Sequence, residues 1–135
     1  GEITLVAITA VNDLGQVINP SIAEGQIHGG VAQGVGQAMF EDVIYDTVTG
    51  QLLTGSFMDY CLPRARDLPT LAAVSEGIPT KNNPLGSKGA GEIGIIGSLA
   101  PILNAVADAI GNDEFDMPML SECIWLRLRA RDHVG

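Results

Sequence analysis

Cysteine is scarce in this chain of 135 residues, which holds only Cys61 and Cys123. They lie far apart, with no CxxC and no histidine cluster, so the chain builds no zinc or iron–sulfur site of its own. The expectation is two buried thiols in a reducing, cytoplasmic setting. Positive charge is also short. Seven Lys and Arg against sixteen Asp and Glu leave a net charge of −9. Nucleic-acid binding needs a basic footprint, and none is present. The acidic residues are scattered and form no tail. Aromatics make up 4% and charged residues 17%, the latter below the roughly 25% of an ordinary soluble domain. A long uninterrupted apolar run is missing too. Residues 93–110 come nearest, broken by Gly94, Gly97, Ser98, Pro101, Asn104 and Asp108, and read as a domain helix rather than a membrane span.

What the chain does have is glycine, seventeen of 135 residues, against an expected ~7%. With 46% hydrophobic residues, disorder is excluded as a description. The length suits a single domain over residues 1–135. So much glycine with so little charge implies a surface that buries itself against a partner. The first residue is Gly1, directly in a strand-like run, and the expectation is a piece of something longer.

The pattern along the chain is α/β (α+β). Residues 3–11 are β-branched and apolar and predict a buried strand. A turn follows at Asn12-Asp13-Leu14-Gly15. Pro20 and Ser21 open a helix predicted to run to about residue 42. Short strands are expected at 43–45 and 52–60 around a hairpin-like turn, and another at 71–76. Residues 77–91 form a long Gly/Pro/Asn/Ser loop of the kind that carries function. A helix over 92–110, a turn at 111–116 and a last helix near 121–130 complete the reading. Together these give a mixed sheet, a Gly-rich helix and a C-terminal helix pair.

Two clusters carry possible chemistry. Gly25, Gly29, Gly30, Gly34 and Gly36 sit inside the first helix at a cost of about 4–5 kcal/mol relative to alanine. They leave a smooth face that a backbone or a flat ligand can approach. Gln26, Gly30, Gln33 and Gln37 recur at helical spacing, offering donors and acceptors to a polar heterocycle. A tightly packed helix pair with solvated glutamines accounts for the same pattern. His28 is a lone histidine and reads as structural.

The second cluster is Leu85-Gly86-Ser87-Lys88-Gly89-Ala90-Gly91-Glu92-Ile93-Gly94. Its Gly-Ser-Lys order fails the P-loop requirement. Gly89–Gly94 fits GxGxxG by letter, and a dinucleotide-binding module would need a strand immediately before it. Glu92 stands where a Gly-rich loop enters a helix. A helix N-terminus favours its charged form while nearby isoleucines disfavour it, which suits a general base. An ordinary first-turn glutamate complementing the helix dipole is the other reading. A non-catalytic assembly domain, with glycines serving helix packing alone, also stands as an alternative.

Taken in series, the motifs resemble one family. Asp13-Leu14-Gly15-Gln16-Val17-Ile18-Asn19-Pro20, then residues 24–38 (EGQIHGGVAQGVGQA), Thr54-Gly55-Ser56-Phe57-Met58-Asp59-Tyr60 with Leu62-Pro63-Arg64, and Asn83-Pro84-Leu85-Gly86 with Lys88-Gly89-Ala90-Gly91-Glu92 are similar to the molybdopterin-binding large subunit of the xanthine dehydrogenase, aldehyde oxidoreductase and aerobic carbon monoxide dehydrogenase family. The likeness covers nearly the whole chain and implies the C-terminal part of that subunit. It implies that Glu92 is the catalytic base, and that Gln26, Gln33, Gly34, Lys88, Gly89, Ala90 and Gly91 lie against the cofactor. It implies molybdopterin, with or without an attached cytidine nucleotide, and no protein ligand to the metal. Iron–sulfur clusters and FAD are expected on other subunits or domains, and the upstream remainder of the large subunit is expected as a partner. The implied reaction oxidises an aldehyde, N-heterocycle or similar small molecule with water-derived oxygen. Ile93-Gly94 stands where purine oxidisers typically carry two prolines, which tilts away from a xanthine-type site. The isolated chain is expected to hold half a site and to be inactive alone.

Overall fold

In the computed structural model, which describes residues 1–111 and 116–132, small and β-branched residues build two short strands. β1 (Ala7–Asn12) and β2 (Thr70–Ser75) pair in parallel, with Ala7 opposite Thr70 and Asn12 opposite Ser75. Parallel strands need a long crossover, and α1 (Pro20–Met39) forms its main element. Asn19 caps α1, its Oδ1 accepting from the Ile22 amide at 3.1 Å, and Pro20 supplies the first helical φ. α2 (Ile93–Ile110) and α3 (Ser121–Asp132) follow β2.

The core lies mainly between helices. Ile27, Val31, Val35 and Ala38 of α1 meet Ile102, Val106 and Ile110 of α2, and Leu14, Met119 and Ile124 join them. Steps of four and three residues on α1 and of four on α2 present one apolar stripe each. Gly111 ends α2 in the left-handed conformation at φ 67°. Arg131 reaches back from α3, its Nη1 donating to the Ile110 carbonyl at 2.9 Å. The Met119 amide donates to the Ala38 carbonyl at 2.7 Å, joining the start of α3 to the end of α1.

The α/β reading, the Gly-rich helix and the C-terminal helices stand, with boundary changes. The first strand is shorter than residues 3–11. Its partner β2 begins only at Thr70, just after Pro69, so residues 3–5 have no ladder beside them and Val6 contributes only its carbonyl, accepting from the Thr70 amide at 3.2 Å. The strand expected at 52–60 is absent. Leu52 makes one isolated antiparallel bridge to Tyr45, after which Ser56 closes a turn, its carbonyl accepting from the Asp59 and Tyr60 amides. Its hydroxyl also donates to Asp59 Oδ2 at 2.9 Å, the kind of local bond that draws backbone away from a ladder. The hairpin turn itself is present, because Asp46 Oδ1 accepts from the Val48 and Thr49 amides at 3.1 and 2.6 Å. Among the described residues, antiparallel pairing is confined to this bridge and Gly15–Ser87. The turn expected at 111–116 lies mostly outside the described residues. Cys61 and Cys123 are exposed, not buried: the first is in a loop, the second on the outer side of α3.

α2 is long and apolar enough, by length and composition alone, to cross a membrane. One face of it packs on α1 through Gly94, Ser98, Ile102, Val106 and Ile110. Other apolar side chains stand in the open, including Met58 at 93% exposure, Phe57 at 84% and Ile96 at 72%.

Candidate functional site

Three pieces of chain converge where α2 begins. The turn at residues 13–16 comes off β1, the 77–91 loop comes off β2, and the first two turns of α1 lie beside them. Their junction forms an open pocket of about 240 Å³, in which Gln16, Asn19, Gln26, Ser87 and Lys88 stand among Leu14, Val17, Ile18, Ile22, Ala23 and Ala90. A larger cavity, about 410 Å³, lies between β1 and α2 and is lined mostly by aliphatic side chains. It holds none of the expected site residues.

The 77–91 loop is tied down despite its composition. Gln16 donates its amide to the Gly86 carbonyl at 2.9 Å, and Lys88 donates its amide to the Leu14 carbonyl at 3.0 Å. Asn83 holds Ser87 from both sides, Nδ2 to the Ser87 carbonyl at 2.9 Å and Oδ1 from its amide at 3.3 Å. Gly15 and Gly86 both have positive φ, 60° and 66°. A Cβ on Gly15 would lie 2.3 Å from the Gly86 carbonyl oxygen, so only glycine fits there. Asp13 completes the junction. Its Oδ1 accepts from the Gly15 amide at 3.0 Å, and its Oδ2 accepts from the Lys88 ammonium. The Lys88 hydrogen bond, with help from the Gly15 amide, holds the Asp13 carboxyl below the usual aspartate range.

Gln26, Lys88 and Ala90 therefore come together on one cavity. Gly89 and Gly91 adjoin it with open space where their side chains would be. Glu92 follows as the N-cap residue of α2, exposed, with φ −116° and ψ −7°; its carboxylate caps nothing. Its carbonyl accepts from the Ile96 amide at 3.1 Å, the first bond of the helix. Gln33 and Gly34 do not join this group. Gln33 is exposed nearly two turns further along α1, and Gly34 is buried against Ser98 of α2. Gly30 likewise leaves the glutamine stripe for the helix crossing, where its Cβ would lie 2.8 Å from the Gly94 Cα. The Asp13–Lys88 pair is the element sequence reading passed over. The signal available was an aspartate opening a turn, which reads as local turn chemistry.

GxGxxG at Gly89–Gly94 has no strand before it. β2 ends at Ser75, and the intervening chain is turns with one bridge at Ser87. The dinucleotide reading fails on that ground. The junction can take a flat group with a polar edge: open glycine positions let backbone approach it, the aliphatic lining suits its face, and the Gln26 amide with the Ser87 hydroxyl offers donors and acceptors at its edge. Among the described residues no three His, Cys, Asp or Glu side chains gather around a common point.

Residues 1–69 match the molybdopterin cofactor-binding domain family. The chain belongs to that family. Over 129 residues it is 42% identical to the gamma subunit of the 6-hydroxypseudooxynicotine dehydrogenase complex of Paenarthrobacter nicotinovorans, covering 93% of this chain and 16% of that protein. It is 37% identical to the carbon monoxide dehydrogenase large chain of Hydrogenophaga pseudoflava, covering 98% of this chain and 17% of that protein. Among solved structures, quinoline 2-oxidoreductase from Pseudomonas putida 86 superposes with a TM-score of 0.86 at 36% identity, over 93% of this chain and 16% of that one. The chain thus spans about one sixth of the length of these relatives.

Proposed function

We propose that the chain is the C-terminal part of the molybdopterin-bearing large subunit of a cytoplasmic molybdenum hydroxylase, with Glu92 as its general base. The observation that carries this reading is the placement of Glu92: a free carboxylate, at the junction of an open-glycine loop and a helix, in a domain of the molybdopterin-binding family. Gln26 and the backbone of Lys88, Gly89, Ala90 and Gly91 face the cofactor from one side. Gln33 extends that polar surface along α1, and Gly34 keeps α1 close to α2 so that the surface holds its shape. The cofactor, when bound, supplies the metal and accepts the electron pair.

Glu92 takes the proton from the water-derived oxygen as it attacks an electron-poor carbon. An exposed carboxylate in the chain alone becomes enclosed when the remaining five-sixths of the subunit and the substrate cover it. Substrates of the named relatives, nicotine derivatives and quinoline among them, support an N-heterocycle or aldehyde as the substrate class. Ile93-Gly94 after the glutamate supports a site unlike that of the purine oxidisers. The exposed apolar side chains of α2 and of residues 57–58 pack against the rest of the large subunit, and iron–sulfur and flavin components carry the electrons away.

The test is Glu92→Gln in the assembled enzyme. Turnover should fall by about 10²–10⁴-fold, the share of rate a positioned base supplies, with molybdenum content and assembly unchanged. Near-normal turnover would sink the assignment.

A further inference from the structure

Glu92 is fixed from two directions, and the nearer support behind it depends on a residue far away in sequence. Ahead of it, Gly94 presses on α1: a Cβ there would lie 2.6 Å from the Ile27 carbonyl oxygen. Behind it, a Cβ on Gly89 or Gly91 would meet nothing, and half-buried Ala90 packs on the edge of the core without a hydrogen bond. Among the described residues, the last hydrogen-bonded attachment before Glu92 is therefore Lys88. Lys88 is held twice, by its amide on the Leu14 carbonyl at 3.0 Å and by its ammonium on Asp13 Oδ2. Asp13 is itself fixed by the Gly15 amide, and Gly77 leaves the space its carboxylate occupies, since a Cβ on Gly77 would lie 2.5 Å from Asp13 Oδ1.

We infer that Asp13 and Lys88 form a positioning pair, which anchors the glycine loop on the β1 turn and thereby sets where the Glu92 carboxylate stands. The Lys88 side chain then works through Asp13, while the loop backbone faces the cofactor. This rests on the reading of Glu92 as base. A base displaced by about 1 Å loses rate without losing the substrate or the cofactor, and that separates positioning from direct contact.

The experiment uses the assembled enzyme bearing Asp13→Asn, Lys88→Met, both together, or Lys88→Arg. Three quantities are measured: kcat and KM, molybdenum per subunit, and hydrogen exchange of the amides from residue 86 to residue 91. Asp13→Asn and Lys88→Met should each lower kcat roughly tenfold, within the range misplacement costs, with KM and molybdenum content unchanged and loop exchange faster. The double variant should be no worse than either single one, the signature of residues acting as a unit. Lys88→Arg, which keeps the charge, should recover most of the rate and restore slow exchange. If Lys88→Met empties the enzyme of molybdenum while Asp13→Asn stays loaded, Lys88 touches the cofactor itself and the inference falls. It falls equally if both single variants turn over normally, or if their losses multiply. Should Glu92→Gln remain active, the base reading fails separately, and the exchange data still report whether the pair anchors the loop.

Discussion

Glycines do opposite work in two neighbouring regions of this molecule. At the crossing of α1 and α2, Gly30 and Gly94 let two backbones touch, and Gly34 makes room for Ser98, whose Oγ would lie 1.9 Å from a Cβ on that glycine. One turn earlier on α1, Gly25 and Gly29 have nothing within 4 Å of where a Cβ would stand, and neither do Gly89 and Gly91 in the loop. The first set stabilises the fold through close packing, which offsets its low helix propensity. The second set costs helix stability, or adds loop freedom, with no return inside the chain. Glycine that returns nothing to the fold marks a face waiting for something else to approach. This weighs against the assembly-domain alternative, which needs every glycine to serve packing.

The sharpest way to break the comparison is at the crossing. Gly94→Val would drive a branched side chain into the Ile27 carbonyl and the Gly30 Cα, and neither backbone can yield without separating the helices. Stability should fall by about 3 kcal/mol, the upper end of the overpacking range, read as a drop in urea midpoint. Gly34→Ala meets mainly a side chain instead, so Ser98→Gly should recover most of its loss. Failure of that rescue would mean the helices are held apart by something other than the serine.

At the open positions the same exchange should change sign. Gly25→Ala and Gly29→Ala sit within α1, have space, and carry no positive φ. Each should stabilise the chain by roughly 0.5–1 kcal/mol through helix propensity and a less flexible unfolded state. Gly89→Ala and Gly91→Ala should leave stability within about 0.5 kcal/mol and lower molybdenum content in the assembled enzyme. A loaded and fully active Gly89→Ala/Gly91→Ala enzyme would make these ordinary loop glycines.

Much of this was legible in sequence for a physical reason. Asn19-Pro20 is a local start signal for α1, and the isoleucine and valine spacing of both helices follows the helical period, so neither needed tertiary information. Glu92 at the loop-to-helix junction was legible likewise. What escaped was set by partners distant in the chain. β1 lost its first residues because β2 begins at Thr70. The strand at 52–60 lost to the Ser56–Asp59 hydrogen bond. Gly30, grouped by period with the polar stripe, faces α2, and so does Gly34, which the resemblance had set against the cofactor. The Asp13–Lys88 pair spans 75 residues, and no local pattern reports it.

The smallest predicted effect distinguishes the tethers of the two irregular segments by pH. Asp13 has its carboxyl lowered, first by the Lys88 hydrogen bond and then by the Gly15 amide. A lowered acid contributes fully above its unfolded value, about 3.9, and loses that contribution as pH falls through the lower folded value. Tyr60 behaves in the opposite sense. Its hydroxyl donates to Glu41 Oε2 at 2.5 Å, and that bond raises its pKa. Its contribution is complete below about 10, the ordinary tyrosine value, and disappears as pH climbs through the raised one. Neither tether should change between about pH 5 and 9, a window about one unit inside both ordinary values. In acid the site loop should loosen first, seen as shifts of the Gly15 and Lys88 amide resonances that Asp13→Asn abolishes. In alkali the 41–60 excursion should loosen first, tracking phenolate absorbance and missing in Tyr60→Phe. Asp46, lowered by its Thr49 and Val48 hydrogen bonds, gives the 41–60 excursion an acid response of its own, so the alkaline limb decides: if the Gly15 and Lys88 amides move there together with Tyr60, the Asp13–Lys88 junction is not an independent anchor.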